Sequence, residues 1–241
     1  MTKSTAAQKD TIRVYGKSMK HVRLGRIAFD DALKIQEAAI ESYRKKKSDT
    51  GTVADRDFPV IFTLEHEPVI TCGRSTRTDN LLLTEDEYSR RGIDVRKIDR
   101  GGDVTWHGPG QVVVYPIVAL REHGLRASEW VSLLEEAMIL TCKKWGVGAF
   151  RRTGLRGCFT EKGKIGAVGT AVKAGGITKH GIAFNVCPDL ENFSLIVPCG
   201  ITGYPVTRLI DNVESAPGIE EVAGILVSHI SNLLGFQPAQ D

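Results

Sequence analysis

The sequence RGGDVTWHGPGQVVVYPIVAL, residues 100–120, joins a glycine-rich segment to a strongly apolar run. The apolar run, residues 112–120, is too short to cross a membrane and contains a proline, which indicates a buried strand. The four glycines before it let the backbone turn and let a ligand approach the N–H groups closely. Residues 100–111 therefore predict either a ligand-binding loop or an ordinary strand–turn–strand connection, without the glycine spacing of a nucleotide-binding loop.

Outward from this segment, helix and strand patterns mix along the chain, which is typical of an α+β or mixed α/β fold. Apolar residues at helical spacing predict helices over 29–43, 128–145 and 219–234, the second with Ser128 as N-cap and a stop at Gly146. The polar segment 48–57 predicts a mobile surface loop. Strands are predicted at residues 58–65, 93–99, 111–120, 164–172 and 181–187.

Length and composition indicate one globular domain. The chain has 241 residues, of which 41% are hydrophobic and 25% charged, and no linker-like segment divides it. We expect a flexible segment over residues 1–11 and a single catalytic domain over 12–241. With 32 basic and 29 acidic residues, the net charge of +3 is too small to indicate nucleic-acid binding, and we expect no membrane partner.

The cysteines indicate a reducing compartment. There are five, at positions 72, 142, 158, 187 and 199, with no CxxC pair, so neither a disulfide framework nor a metal site is predicted. We expect a cytoplasmic protein. The first residues, MTKSTAAQK, weakly resemble an organelle transit segment, which leaves the mitochondrial matrix or a plastid as alternatives.

Three single residues each allow two interpretations. Lys164 opens a strand of small apolar residues, where it either reaches the rim or is held inside for chemistry. His180 is either a structural residue or a base. Cys199, in VPCGI, is either a core thiol or a nucleophile.

Five segments occurring together resemble one family. They are LEHEPVITCGR (64–74), RGGDVTWHGPGQ (100–111), KIGAVG (164–169), HGIAFNV (180–186) and VPCGI (197–201). Over roughly residues 12–235 the chain resembles the lipoyl(octanoyl) transferases, which are octanoyl-[acyl-carrier-protein]:protein N-octanoyltransferases. The resemblance implies a fold similar to the catalytic module of biotin and lipoate protein ligases, with a larger mixed sheet, a smaller sheet and flanking helices.

The resemblance also implies a reaction. An octanoyl group passes from octanoyl-acyl carrier protein to Cys199 as a thioester, and then to a lysine of a lipoyl domain, in 2-oxoacid dehydrogenase E2 subunits or glycine cleavage H protein. Lys164 matches the lysine paired with the cysteine. No cofactor is implied, because the donor carries its own phosphopantetheine. The implied substrate-binding residues are Arg100, Gly101, Gly102, Asp103, Val104, Thr105, Trp106, His107, Ala167, Val168, Gly169, Gly181, Ile182 and Ala183.

Electrostatics explains why a thiol nucleophile needs a lysine. A free thiol with a pKa of about 8.5 is only about 3% ionised at pH 7. A charge pair at about 4 Å is worth roughly 4 kcal/mol at an effective dielectric constant of 20, and lowering a pKa by two units needs about 2.7 kcal/mol. One well-placed ammonium is therefore sufficient.

Some features remain open at this level. A gap between the two sheets is expected to hold the acyl chain. Ile70, Cys158 and Ala171 depart from the family pattern, near the pocket, before the lysine strand and after Gly169. Five cations are interpreted either as a docking surface for an acidic carrier or as ordinary solvated charges: Arg74, Arg77, Arg100, Lys173 and Lys179.

Four other functions compete with octanoyl transfer. An ATP-dependent lipoate or biotin ligase would use the lysine to bind carboxylate and phosphate, and a lipoyl-domain amidotransferase would reuse the cysteine. A cysteine hydrolase would take His107 or His180 as its base. A non-enzymatic acyl-binding module would form no covalent adduct.

Overall fold

The computed structural model describes residues 19–50, 58–197, 204–215 and 217–236, and these residues form two β-sheets with helices around them. The larger sheet has seven strands, in the spatial order β1 (Lys20–Ile27), β2 (Val60–His66), β6 (Gln111–Ile117), β10 (Ile177–Asn185), β9 (Gly163–Lys173), β8 (Leu155–Thr160) and β7 (Phe150–Arg152). The smaller sheet has three, in the order β4 (Asp94–Lys97), β3 (Val69–Cys72) and β5 (Val104–His107). Each sheet combines one parallel pair with antiparallel pairs, so the predicted pair of sheets is confirmed.

Helices flank both sheets, and short 3₁₀ helices lie between strands. The four α-helices are α1 (Phe29–Thr50), α2 (Glu85–Arg90), α3 (Ala127–Lys144) and α4 (Ile219–Leu233). The 3₁₀ helices are Thr78–Asn80, Leu120–His123, Leu190–Leu195 and Leu209–Asp211. No helix in these described segments is long and apolar enough to cross a membrane.

Two helix boundaries differ from the predictions. Ser128 is not an N-cap, because Arg126 caps α3: its backbone N–H and its Nη2 donate to the Glu129 carboxylate at 2.8 and 2.7 Å. Helix α1 continues to Thr50, so the predicted loop over 48–57 is wrong for its first three residues. The rest of that loop, residues 51–57, lies outside the described residues, as does the N-terminal segment 1–11.

Three clusters of buried side chains hold the layers together. Helices α3 and α4 pack on one face of the larger sheet, around Trp130, Leu134 and Leu226. Helix α1 covers part of the other face, where Tyr43 and Phe62 are buried. The third cluster lies between the smaller sheet, α2 and the 3₁₀ helix Leu190–Leu195.

The glycine-rich segment 100–111 leads from the smaller sheet to the larger one. β5 ends at His107 in the smaller sheet, and β6 begins at Gln111 in the larger one. A strand–turn–strand connection is therefore confirmed, and it crosses between layers. The two sheets consequently face each other on either side of a gap.

Candidate active site

A cavity of about 210 Å³ lies between the smaller sheet and the facing surface of the larger sheet. Of the predicted site residues, it is lined by Lys164, Arg100, Gly102, Asp103, Thr105, His107, Ala167, Val168, Gly169, Gly181, Ile182 and Ala183. The fold therefore brings three separate glycine-containing segments and Lys164 to one cavity. The roles of these residues in binding stay predictions.

Three of the predicted residues do not line the cavity. In β5 the side chains alternate, so Thr105 and His107 face the cavity while Val104 and Trp106 are fully buried in the small-sheet core. The N–H of Gly101 donates to the carbonyl of Thr170 at 3.0 Å and is thus already used within the protein. The side chains of Val104 and Trp106 therefore point away from the cavity, and their predicted role in binding stays a prediction.

Two hydrogen bonds hold the backbone of Lys164, and an aromatic ring lies near its ammonium. Its N–H donates to Pro205 O at 2.9 Å, and its carbonyl accepts from Thr207 N at 3.0 Å. Its ammonium lies 5.6 Å from the centroid of the Phe159 ring. A Cβ at Gly157 would come within 2.9 Å of Lys164 Cε, so a glycine there leaves room for the lysine side chain.

Arg100 crosses the gap as a buried cation. Its Nη2 donates to Thr71 O at 2.6 Å and to Thr71 Oγ1 at 3.0 Å, and its Nη1 donates to Gly101 O at 3.0 Å. Its side chain lies directly on Gly169, where an added Cβ would come within 2.7 Å of Arg100 Cδ. The absence of a side chain on Gly169 therefore permits this position of the guanidinium.

The Thr71 hydroxyl connects Arg100 to His107 through two hydrogen bonds. Because the Thr71 hydroxyl accepts from Arg100, it donates its own proton to His107 Nε2, 3.2 Å away. His107 Nδ1 then carries the ring proton and donates to Gln111 Oε1 at 2.7 Å. Both ring nitrogens are engaged, which fixes the neutral tautomer.

The same chain of hydrogen bonds continues to the backbone beside Lys164. Gln111 Nε2 donates to Asn185 Oδ1 at 2.9 Å, and Asn185 Nδ2 donates to the carbonyl of Thr207 at 3.0 Å. The N–H of Thr207 donates to Lys164 O. A buried polar relay thus links Arg100, which lies between β4 and β5, to the segment that pairs with Lys164 in the larger sheet.

Burial holds the cavity histidines neutral. It lowers the pKa of His107 to about 3, assisted by the charge of nearby His66. Burial likewise lowers the pKa of His180 to about 4, although its hydrogen bond to Asp99 acts in the opposite direction. A group with so low a pKa accepts a thiol proton poorly, which argues against either histidine as the base of a cysteine hydrolase.

The five proposed docking cations fall into two groups. Arg74 and Arg77 are exposed. Arg100 is buried, Lys179 is buried against Glu37 at 2.7 Å, and Lys173 is paired with Asp99. Burial alone would raise the pKa of Asp99, but hydrogen bonds from Lys173 and His180 hold it below its usual value. Arg100 and Lys179 therefore do not belong to an exposed docking surface.

The three departures from the family pattern occupy different places. Ile70 is fully buried in the small-sheet core and does not line the cavity, so it does not reshape the pocket directly. Cys158 is buried beside Cys142, and that contact together with burial raises the pKa of its thiol. Ala171 is a buried residue of β9, paired with Lys179.

Cys199 lies outside the described residues, together with the rest of 198–203. The chain on both sides of it is described. Before it, Val197 N–H donates to Asn80 O at 2.9 Å. After it, Val206 forms a parallel bridge with Lys164.

Sequence reasoning missed several polar and aromatic residues of the site. Thr71 joins Arg100 to His107, and Gln111 and Asn185 complete the relay. Phe29, at the start of α1, lines the cavity. The only available signal was that Thr71, Gln111 and Asn185 lie inside segments already quoted for their resemblance. No group of three or more His, Cys, Asp or Glu side chains suited to a metal ion occurs among the described residues.

Comparison with known proteins gives concordant results. Residues 29–231 match the family described as the lipoyl protein ligase A/B catalytic domain. An octanoyltransferase of Chloroflexus aurantiacus is 41% identical over 218 residues, which cover 89% of this chain and 93% of that protein. The eight curated octanoyltransferases in this comparison, including that of Chloroflexus aurantiacus, share 38–42% identity with this chain.

Solved structures confirm the fold. The bi-partite lipoate protein ligase of Thermoplasma acidophilum, described with its E2 lipoyl domain, gives a TM-score of 0.72 at 18% identity, covering 94% of this chain and 87% of that one. The biotin protein ligase of Aquifex aeolicus, in complex with biotin and ATP, gives 0.52 at 10% identity, covering 90% and 70%. At these identities the likeness concerns the fold alone.

Proposed function

The chain belongs to the lipoyl protein ligase A/B catalytic domain family, among the octanoyltransferases, and we propose that it transfers an octanoyl group from acyl carrier protein, through a thioester on Cys199, to a lysine of a lipoyl domain. The observation that carries the proposal is the position of Lys164 in the wall of a largely apolar cavity between two sheets.

The size of the cavity suits an octanoyl chain. The cavity of about 210 Å³ has room for a chain of several methylene groups. Seven carbons follow the carbonyl carbon of an octanoyl group. Burying six of them as methylenes contributes about 5 kcal/mol at roughly 0.8 kcal/mol each. Val113, Ala167 and Ala183 supply apolar walls.

The first half of the reaction forms the acyl-enzyme. The Cys199 thiolate attacks the thioester carbonyl of octanoyl-acyl carrier protein, a new thioester forms, and the bond to the phosphopantetheine sulfur breaks. The ammonium of Lys164 stabilises the Cys199 thiolate and then gives its proton to the leaving thiolate. The bridge between Lys164 and Val206 supports this pairing, because it brings the chain that follows Cys199 beside the lysine.

The second half transfers the acyl group to nitrogen. Lys164, now neutral, accepts a proton from the ammonium of the target lysine, whose free amine attacks the acyl-enzyme and forms an amide. The Cys199 thiolate leaves, a second proton of the attacking nitrogen passes to water, and Lys164 is again positively charged. Both substrates react at the same cysteine in turn, so ping-pong kinetics follow, and the thioester supplies the free energy that a ligase takes from ATP.

The partners follow from this chemistry. The acceptors are lipoyl domains, such as those of 2-oxoacid dehydrogenase E2 subunits, and glycine cleavage H protein. The donor is an acidic carrier, for which exposed Arg74 and Arg77 are the remaining docking cations of the predicted set. A reducing compartment such as the cytoplasm keeps the nucleophilic thiol free.

A transfer assay separates this function from a ligase or an amidotransferase. The purified protein is incubated with a lipoyl domain and one donor: octanoyl-acyl carrier protein, octanoate with ATP, or an already octanoylated lipoyl domain. We expect transfer from the carrier without ATP, and its loss in Cys199→Ala and Lys164→Ala.

The matched controls are Cys187→Ala, which removes an exposed thiol, and Lys162→Ala, which removes an exposed neighbouring lysine. Both should retain transfer. ATP-dependent transfer from octanoate, or transfer from an octanoylated domain alone, would contradict the proposal.

A further inference from the structure

The aromatic side chain of Phe29 lines the cavity at a distance from Lys164. Lys164 is the second residue of β9, and His180 pairs with Thr170, six residues farther along that strand. At about 3.3 Å per residue, this separates them by about 20 Å along the sheet. The Phe29 ring stacks on the His180 ring, with centroids 6.5 Å apart and an interplanar angle of 17°. Phe29 and Lys164 both line the cavity, and this register places Phe29, the end wall, well away from the lysine.

The Phe29 ring is held between two fixed imidazoles. Its centroid lies 5.3 Å from that of His66, whose Nε2 is bonded to Tyr115 Oη at 2.7 Å and whose Nδ1 is bonded to Ile27 O at 3.1 Å. On the other side, His180 Nε2 is bonded to Asp99 Oδ1 at 2.8 Å. Phe29 is only 5% exposed. The end wall is therefore built of side chains that have few alternative positions.

The backbone conformation of His180 differs from that of a regular strand and turns its ring toward the cavity side. In a regular strand His180 would share a face with Ile182 and Phe184, which pack in the core under α3 and α4. Its φ is instead +60°, a value that is uncommon for non-glycine residues, and its ring contacts Phe29 and Tyr115 on the cavity side. Such a conformation persists where surrounding contacts enforce it, and it is common at functional sites.

We propose that Phe29 sets the maximum length of the acyl chain that the enzyme transfers. The inference rests on the proposed function, since it assumes that the reacting carbonyl lies near Lys164. With C–C bonds of about 1.5 Å, an extended octanoyl group spans about 9 Å. The side chains of Lys164 and Phe29 both border the cavity, so the free length between them is shorter than the separation of about 20 Å along β9. A longer chain would meet the Phe29 ring.

The test compares acyl chains of different length in variants of Phe29. Initial rates are measured with hexanoyl-, octanoyl-, decanoyl- and dodecanoyl-acyl carrier protein. Phe29→Ala opens space for two more methylenes, so the ratio of kcat/KM for decanoyl over octanoyl should rise about tenfold. Phe29→Trp shortens the cavity and should favour hexanoyl. Phe29→Leu, a milder change, replaces Phe29→Ala if that variant does not fold.

Phe62→Ala is the matched control. Phe62 is also a buried phenylalanine in the core under α1, 6% exposed, but it does not line the cavity. It should lower stability without changing the chain-length ratio. An unchanged ratio in folded Phe29→Ala and Phe29→Leu, or an equal shift in Phe62→Ala, would overturn the inference.

Failure of the proposed function gives a different result. If the wild-type protein transfers no octanoyl group, calorimetric binding of hexanoate, octanoate, decanoate and dodecanoate to the same variants still tests the end wall. A preference that moves to longer chains only in Phe29→Ala or Phe29→Leu would support the inference, and an unmoved preference would overturn it.

Discussion

His66, His107 and His180 line or flank the gap between the sheets, and each is held by specific hydrogen bonds. His107 has a partner on both ring nitrogens, His66 is bonded to Tyr115, and His180 to Asp99. Burial lowers their pKa values to about 4, 3 and 4 respectively. At the residue scale these imidazoles are therefore neutral at pH 7, which supports the proposal that Lys164 carries the proton transfers.

Their lowered pKa values predict an acid-sensitive fold. As the pH falls from about 6.5 towards 4, the unfolded chain gains a proton at each histidine that the folded chain does not gain, so the free energy of unfolding decreases. Between pH 7 and pH 5 this amounts to about 2 kcal/mol for each histidine. Urea unfolding at both pH values measures it. His66→Gln should lose less stability over this interval than the wild type, and equal wild-type stability at pH 5 and pH 7 would contradict the prediction.

At the element scale, the site depends on two strands: β5, whose side chains alternate between the cavity and the core, and β9, which has a glycine at the cavity wall. β5 directs Thr105 and His107 to the cavity, and β9 presents Gly169 beneath the Arg100 side chain. Arg100 in turn is tied to Thr71 in β3. Arg100 thereby links the smaller sheet to β9 of the larger one, with its side chain lying on the backbone of Gly169.

Gly169→Ala tests this attachment. Its Cβ would lie 2.7 Å from Arg100 Cδ, so the guanidinium must move and weaken its bonds to Thr71. We expect a loss of about 1–3 kcal/mol in the free energy of unfolding, together with slower octanoyl transfer. Gly148→Ala is the control, because an added Cβ there meets nothing within 4 Å. Similar stability of the two variants by urea unfolding would argue against a structural role for the contact.

At the scale of the whole molecule, the predictable parts are those with a local signal. The helices α1, α3 and α4 and the strands β2, β6, β9 and β10 follow apolar periodicity along the chain. Strand β1 was not predicted, because its exposed and half-buried residues alternate irregularly. Strands β3 and β5 were not predicted either, because four residues are too few for a clear pattern.

The residues of the site also divide into those that the sequence predicts and those that it does not. Lys164, Arg100 and the glycines were predictable through a resemblance carried by contiguous motifs. The relay was not, because Gln111 and Asn185 are 74 positions apart in sequence and meet only in the folded sheet. Nor was the positive φ of His180, since a histidine before a glycine carries no sign of it. Phe29 looks like an ordinary apolar residue of a helix until its place beside His180 is known.

The central claim is that Cys199 carries the octanoyl group between the two proteins. Intact-mass spectrometry of the enzyme after incubation with octanoyl-acyl carrier protein, without acceptor, tests it most directly. The wild type should gain one octanoyl group, Cys199→Ala should gain none, and added lipoyl domain should discharge the adduct. Octanoylation of the lipoyl domain by an enzyme that never gains the octanoyl mass would contradict the account.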